Sequence, residues 1–386
     1  MSPASRSPSL SPSPEANLFD CLRLLRSRRV GPTTYHRLMA EHGSAAAALA
    51  ALPAVARAAG VPDYALCPEG VVAAELKAGR AAGARLVAIN DPAYPPLLHL
   101  LDDAPPLLWM LGAADLAQRP LVALVGARNA SSLGTRMARK LAEDLGDAGF
   151  VVVSGLARGV DAAAHSAALP TGTIAVQAGG VDVIYPAENT ALAHDIAARG
   201  LRLSEAPMGL QPQARHFPAR NRIISGLCAA VVVVEAAAKS GSLITARGAL
   251  DQNRDVFAVP GHPFDARAAG CNMLIRDGAM LVRGAADVIA ALALPAGLAT
   301  IPQPEAAPAR PAVEAPPRSL RDTAALHREI LSRLGPSPLA EDQLIRDLAT
   351  DATGIAPALL DLELAGHISR QPGGLLSLSG GAAAAR

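Results

Sequence analysis

Six short, nearly continuous apolar runs punctuate the middle of the chain: Leu121–Val125, Phe150–Val153, Thr173–Gln177, Ala230–Val234, Val256–Val259 and Met280–Val282. Most end in a glycine or serine loop, and a stretch with helical spacing follows. Runs without polar alternation suit strands buried on both faces, and the interleaved helices imply right-handed crossovers. The pattern predicts an α/β domain over residues 89–294, with a doubly wound, mostly parallel sheet.

The flanks read differently. Asn17–Ser27 and Thr33–Glu41 have helical period on either side of a Val30-Gly31-Pro32 turn, and Ala-rich pieces follow. They predict an N-terminal helical domain over 16–88, preceded by a disordered Ser/Pro tail over 1–15. Residues 295–318 are Pro/Ala-rich and aperiodic, which marks a linker. After it Thr323–Leu334, Leu339–Leu348 and Ile355–Leu364 are helical in pattern, and His367–Leu378 alternates about a Gln371–Gly374 turn. Three helices and a hairpin predict a winged helix over 319–380.

Composition narrows the classes. Hydrophobic residues make up 51% and aromatics only 3%, so Ala, Val and Leu carry the packing. Cys21, Cys67, Cys228 and Cys271 are scattered, without a CxxC pair or a partner His at ligand spacing. This favours a reducing compartment and gives no metal site or disulfide frame. The N-terminus lacks an apolar signal core, and no run reaches the ~18 apolar residues of a membrane helix. A cytoplasmic protein without membrane attachment is expected.

A net charge of +1 is neutral on nucleic acid, so the placement of charge decides. Between Asp115 and Glu143 there is no acid, but Arg119, Arg128, Arg136, Arg139 and Lys140 occur. Between Glu205 and Glu235 there is again none, with Arg215, His216, Arg220 and Arg222 inside. Residues 91–292 as a whole hold 17 Lys+Arg against 18 Asp+Glu. Segregation within a balanced domain points to a positive groove. Arg136, Arg139 and Lys140 fall along one helix and are expected to pair with acids.

In a doubly wound sheet ligands sit at the carboxyl ends of the strands. There the loops read Gly126-Ala-Arg128, Ser154-Gly155-Leu-Ala-Arg158-Gly159, Gly179-Gly180, Ser240-Gly241-Ser242 and Pro260-Gly261. Such turns expose amides and helix N-termini that favour phosphate by ~0.3–1 kcal/mol from the dipole alone, although tight turns need glycine in any case. Phe217-Pro-Ala-Arg220-Asn221-Arg222 is the most specific stretch, with two guanidinium forks beside an amide. One of the two arginines equally suits a fold-stabilising role, and Phe217 suits either base stacking or a core position.

Several enzyme signatures are missing. No G-x-G-x-x-G follows the first strand, and Ser154 rather than an acid ends the second, which argues against the usual NAD site. Asp161 and His165, four apart, read as a helix-start carboxylate with a satisfied core histidine. An enzyme acting on nucleoside phosphates, of phosphoribohydrolase type, is the alternative, with Glu235 its only nearby carboxylate.

Taken together, these blocks resemble the DprA/Smf family. The match runs through Val125-Gly-Ala-Arg128, Val153-Ser-Gly-Leu-Ala-Arg-Gly-Val-Asp161-Ala-Ala-Ala-His165, Asp182-Val-Ile-Tyr-Pro186, Ser204-Glu-Ala-Pro207, Phe217–Gly226, Ser240-Gly-Ser-Leu-Ile-Thr-Ala246 and Asp255-Val-Phe-Ala-Val-Pro-Gly261. The resemblance implies a Rossmann-like domain flanked by a SAM- or helix-hairpin-helix-like domain and a winged helix. It implies a homodimer that binds single-stranded DNA, protects it and helps load a RecA-type recombinase in natural transformation, without catalysis or cofactor. Carried over residue by residue, the phosphate-binding pocket falls on Gly126, Arg128, Ser154, Gly155, Arg220, Asn221, Arg222, Ser240 and Gly241, with Arg158 in the same loop as Ser154. Where many members carry a basic residue after Tyr-Pro, this chain has Ala187.

Two flanking features complete the expectations. The candidate recognition helix Ile355–Leu364 carries Asp361 and Glu363 but no base, which suits protein interaction or regulation better than DNA. The Val30-Gly31-Pro32 turn, near Arg26, Arg28 and Arg29, is a candidate helix-hairpin-helix phosphate contact.

Overall fold

The computed structural model describes residues 14–61, 63–292, 320–334, 339–348, 352–371 and 375–378. Nearly all of the expected tail, the 295–318 linker and the 372–374 turn lie outside the described residues.

The central sheet has nine strands. They are β1 (Arg85–Ala88), β2 (Leu107–Gly112), β3 (Leu121–Val125), β4 (Val151–Ser154), β5 (Thr173–Val176), β6 (Leu201–Ser204), β7 (Ala230–Val233), β8 (Asp255–Ala258) and β9 (Met280–Leu281). Their order is β1-β2-β6-β5-β4-β3-β7-β8-β9. From β6 to β9 every neighbour is parallel. The direction of winding reverses between β3 and β7, which makes that rim the switch point where ligands bind in such sheets.

Helices cover both faces, so strand side chains are apolar on both. Leu121, Ala123 and Val125 of β3 face α8 (His216–Leu227), α9 (Ser242–Asp251) and α10 (Ala269–Arg276). Val122 and Leu124 face α5 (Ser132–Asp147), α6 (Val160–Ala168) and α11 (Ala285–Leu292). α7 (Thr190–Arg199) packs beside α6 against Ala175 of β5. This two-sided burial is what makes the apolar runs continuous.

The antiparallel pair β1–β2 corrects the boundary expected at residue 88. β1 precedes it yet pairs with β2, which pairs in turn with β6. The same pair packs on the N-terminal helices α1 (Pro14–Arg26), α2 (Pro32–His42), α3 (Ala45–Ala58) and α4 (Glu69–Ala81) through Leu86, Leu107 and Trp109. Trp109 donates from its indole to buried Glu75 at 2.9 Å, and Gly79 leaves space for its ring. Arg26 grips Glu75 with two bonds of 2.9 and 2.8 Å. Burial raises the Glu75 pKa, but Arg26 and Trp109 outweigh it and hold the carboxyl below its ordinary value.

The C-terminal domain comprises α12 (Leu320–Arg333), α13 (Glu341–Asp347), α14 (Ala352–Leu364) and a small sheet of β10 (Leu339–Ala340), β11 (Ile368–Gln371) and β12 (Leu375–Leu378). Its core includes Ile330, Leu344, Ile355, Leu359, Leu362, Ile368 and Leu376. All four cysteines are free and buried. Among the described residues no single helix is long and apolar enough to cross a membrane.

Candidate nucleic-acid interface

The loop after β3 is pressed against the start of α6 by two glycines. A Cβ on Gly126 would lie 2.6 Å from Val160, and one on Gly159 only 2.3 Å from the Ala127 carbonyl and 2.5 Å from that of Arg128. Gly159 also sits at φ +73, in the region where only glycine is free of strain. Held there, the Arg128 side chain is exposed and makes no hydrogen bond or ion pair among the described residues. Its guanidinium lies 5.3 Å from the ring centre of Phe217.

Phe217 comes from the first turn of α8, and the same helix supplies Arg220, 5.9 Å from that ring. Tyr185, half-exposed, completes the cluster with its ring 5.8 Å from that of Phe217. Two guanidinium groups and two aromatic rings therefore meet at one rim of the sheet, at separations typical of cation–π contact. Phe217 is thus only partly buried and stands in this cluster, outside the core. Tyr185 was not singled out from sequence, although an aromatic before a proline in a glycine-flanked loop was its available signal.

Arg220 is only 6% exposed. One of its nitrogens donates to the Val176 carbonyl at the end of β5, at 2.8 Å, while Nε has no protein partner. Burial pulls its pKa down to about 10, so it remains charged at neutral pH. Gly155 exists to let it through, since a Cβ there would fall 1.9 Å from the guanidinium. Beside Arg220 lies a narrow recess lined by Gly155, Gln177, Gly179, Tyr185, Pro212 and Phe217.

Asp161 and His165 build the loop between β4 and α6. The Asp161 carboxylate accepts from the amides of Gly155 and Ala157, at 3.1 and 3.3 Å. His165 accepts from the Leu156 amide on Nε2 at 3.3 Å, and Leu156 is at φ +58. The Thr173 hydroxyl donates to the Val152 carbonyl, so it accepts from His165 Nδ1 at 2.7 Å. This fixes the neutral Nδ1–H tautomer. Burial drives the His165 pKa down to about 3, with Arg220 acting the same way. Burial raises that of Asp161, and Arg220 opposes it.

These contacts revise the expected phosphate cradle. The Gly155 amide is already bound to Asp161, and the buried Ser154 hydroxyl donates to the Leu124 carbonyl at 2.7 Å. Arg222 is paired with Glu205 and lies 3.6 Å from Asp103, so this arginine holds the fold. Arg158 pairs with Glu188 at 3.0 Å across exposed surface. Asn221 is half-buried one residue from Arg220, and Ser240 bonds the Ser242 hydroxyl at 2.8 Å. Gly241, exposed with open space around it, stands at the start of α9. Of the three basic residues on α5, Lys140 pairs with Asp144 at 2.7 Å, while Arg136 and Arg139 have no ion pair among the described residues. Arg26 is held by Glu75, which removes it from the helical turn's candidate phosphate contacts.

Comparison with known proteins identifies the family across all three domains. Residues 85–293 match the family model of DNA recombination-mediator protein A. Residues 15–78 match the DprA-like N-terminal HHH domain, and 314–374 the DprA winged helix domain. Protein Smf of Synechocystis sp. is 39% identical over 311 residues, covering 74% of this chain and 77% of its own. DNA processing protein DprA of Streptococcus pneumoniae is 48% identical over 204 residues, covering 52% and 72%. The crystal structure of the Streptococcus pneumoniae protein superposes with a TM-score of 0.54 and 41% identity, over 61% of this chain and 86% of that one. DNA processing protein A from Helicobacter pylori, solved to show its single-stranded DNA binding mode, gives 0.51 and 32%, over 54% and 95%. The chain belongs to the DNA recombination-mediator protein A family, DprA/Smf.

Proposed function

We propose that this protein binds single-stranded DNA along the carboxyl rim of its sheet and acts as a recombination mediator, without catalytic turnover or cofactor. The convergence of Arg128, Arg220, Phe217 and Tyr185 carries the reading. A flexible polyanion can lay phosphates against the two guanidinium groups and a base against the aromatic pair. The single-stranded DNA binding of the Helicobacter pylori relative supports the same use. With 3% aromatics in the chain, backbone contact dominates and sequence preference is slight. As a mediator it works in the cytoplasm as a homodimer, protecting incoming DNA and passing it to a RecA-type recombinase.

The domain over 89–294 is the proposed DNA carrier, and its test fragment starts at residue 84 so that β1 is kept. A chain cut to 84–292 is expected to retain most of the affinity for oligo(dT) in fluorescence anisotropy. Arg128→Ala lowers the slope of log affinity against log salt by about one in magnitude. A fragment that does not bind, or a slope unchanged by Arg128→Ala and Arg220→Ala alike, overturns this placement. The enzyme alternative relied on Glu235, whose carboxylate accepts from both the amide and the hydroxyl of Ser131 at the start of α5. Turnover of a nucleoside monophosphate that is lost in Glu235→Gln is the result that restores it.

A further inference from the structure

α14 is apolar on two sides, and only one faces its own domain. Ile355, Leu359 and Leu362 pack into the winged-helix core. Leu360 and Leu364, four apart on the neighbouring face, join instead the apolar cluster of the N-terminal helices, at 2% and 0% exposure. Ionic and polar contacts ring the pair. Arg37 of α2 donates to Glu341 at 2.6 Å and to the Ala356 carbonyl at 3.4 Å, while Glu341 also holds Arg370. Arg29 donates to the Leu364 carbonyl at the end of α14. Gly366, at φ +75, leaves the space Arg29 occupies, since a Cβ there would fall 2.5 Å from its guanidinium.

Arg29 belongs to the turn between α1 and α2 that the sequence marks as a phosphate contact. α14 stands where a winged helix carries its recognition helix. Each element is therefore covered by the other. We propose that the winged helix is an intramolecular latch, with α14 docked over the Arg29 turn, keeping that arginine turn from nucleic acid until it releases. The docked partner is this chain's own helical domain, because it completes the burial of Leu360 and Leu364 and satisfies the last carbonyl of α14. Asp361 and Glu363 put two acids on α14, so release adds DNA affinity through the arginine turn and not through that helix.

Hydrogen–deuterium exchange of the full-length chain tests the latch without DNA, so its outcome is independent of the rim reading. Leu360→Ser with Leu364→Ser leaves the charge and the winged-helix core residues in place. Amides of α2, α3 and the last turn of α14 are expected to exchange about tenfold faster in this variant, with β11 and β12 unchanged. Oligo(dT) binding then gains a salt slope steeper by roughly one, from Arg29. Equal exchange in wild type and variant overturns the latch, as does protection that grows with protein concentration, which places the contact between copies. A salt slope unchanged on release overturns the masking of the arginine turn. Should β11 and β12 also lose protection, Arg37→Glu decides: it must release the same segments, and full protection in it overturns the proposal.

Discussion

Arg220 and Arg222 leave one turn of α8 two residues apart, so they point to opposite sides of the helix. Both are more than nine-tenths buried, at 6% and 8% exposure. Arg222 meets Glu205 and Asp103, and its charge is neutralised inside the fold. Arg220 meets a neutral carbonyl, an aromatic ring and the space left by Gly155, with one nitrogen unpaired. The nearest acid acting on it, Asp161, is itself bonded to two loop amides. Residue type and burial are the same in both. What separates a fastener from the proposed DNA-binding cation is the set of partners that remote segments bring to each.

The largest expected effect lies on the fastener side. Arg222→Ala strands the carboxyl of Glu205, whose pKa burial already raises, and should cost on the order of 3–5 kcal/mol in urea denaturation. The fraction still folded keeps its affinity for single-stranded DNA. A stable Arg222→Ala that fails to bind would reverse the two roles.

Next comes acidification of the frame around Arg220. His165 is neutral in the fold with a pKa of about 3, against about 6.5 when unfolded. The unfolded chain takes up a proton that the folded chain refuses. Stability is therefore full above pH 6.5 and declines as pH falls toward 3, by about 2 kcal/mol at pH 5. Asp161, with its raised pKa, acts in the opposite sense, so the measurement is the difference between wild type and His165→Asn. Parallel stability–pH curves for the two would remove His165 from the frame.

How far the sequence spoke for itself follows the same division between local and remote. Leu121–Val125 and its companions were legible because both faces of those strands are buried, which leaves the pattern uninterrupted. β6 was not, because Arg202 interrupts it, and that side chain turns inward to bond Gln177 at 2.8 Å. β2 hides in a leucine-rich run that fits a strand or a buried helix equally well. At the site, the glycines and the exposed Arg128 could be read from their place after strand ends. The capture of Arg222 could not, since its partners Glu205 and Asp103 lie 17 and 119 positions away and meet it only through the fold. Nor could the docking of Leu360 and Leu364, which read as ordinary helix positions until another domain's surface meets them.

The smallest effect separates charge from stacking at the rim. Phe217→Leu keeps apolar bulk beside Arg128 and Arg220 and removes the π-face that a base can use. Stacking contributes about 1–3 kcal/mol per base, and Tyr185 retains part of it here. A loss near the lower end is expected, roughly tenfold in affinity for oligo(dT). Its signature is a vertical shift of the salt plot with the slope preserved, because no phosphate contact is lost. Arg128→Ala changes the slope instead. Were Phe217→Leu to flatten the slope as well, the ring would be acting only as a support that orients the guanidinium groups, and base stacking would have to be assigned to Tyr185 alone.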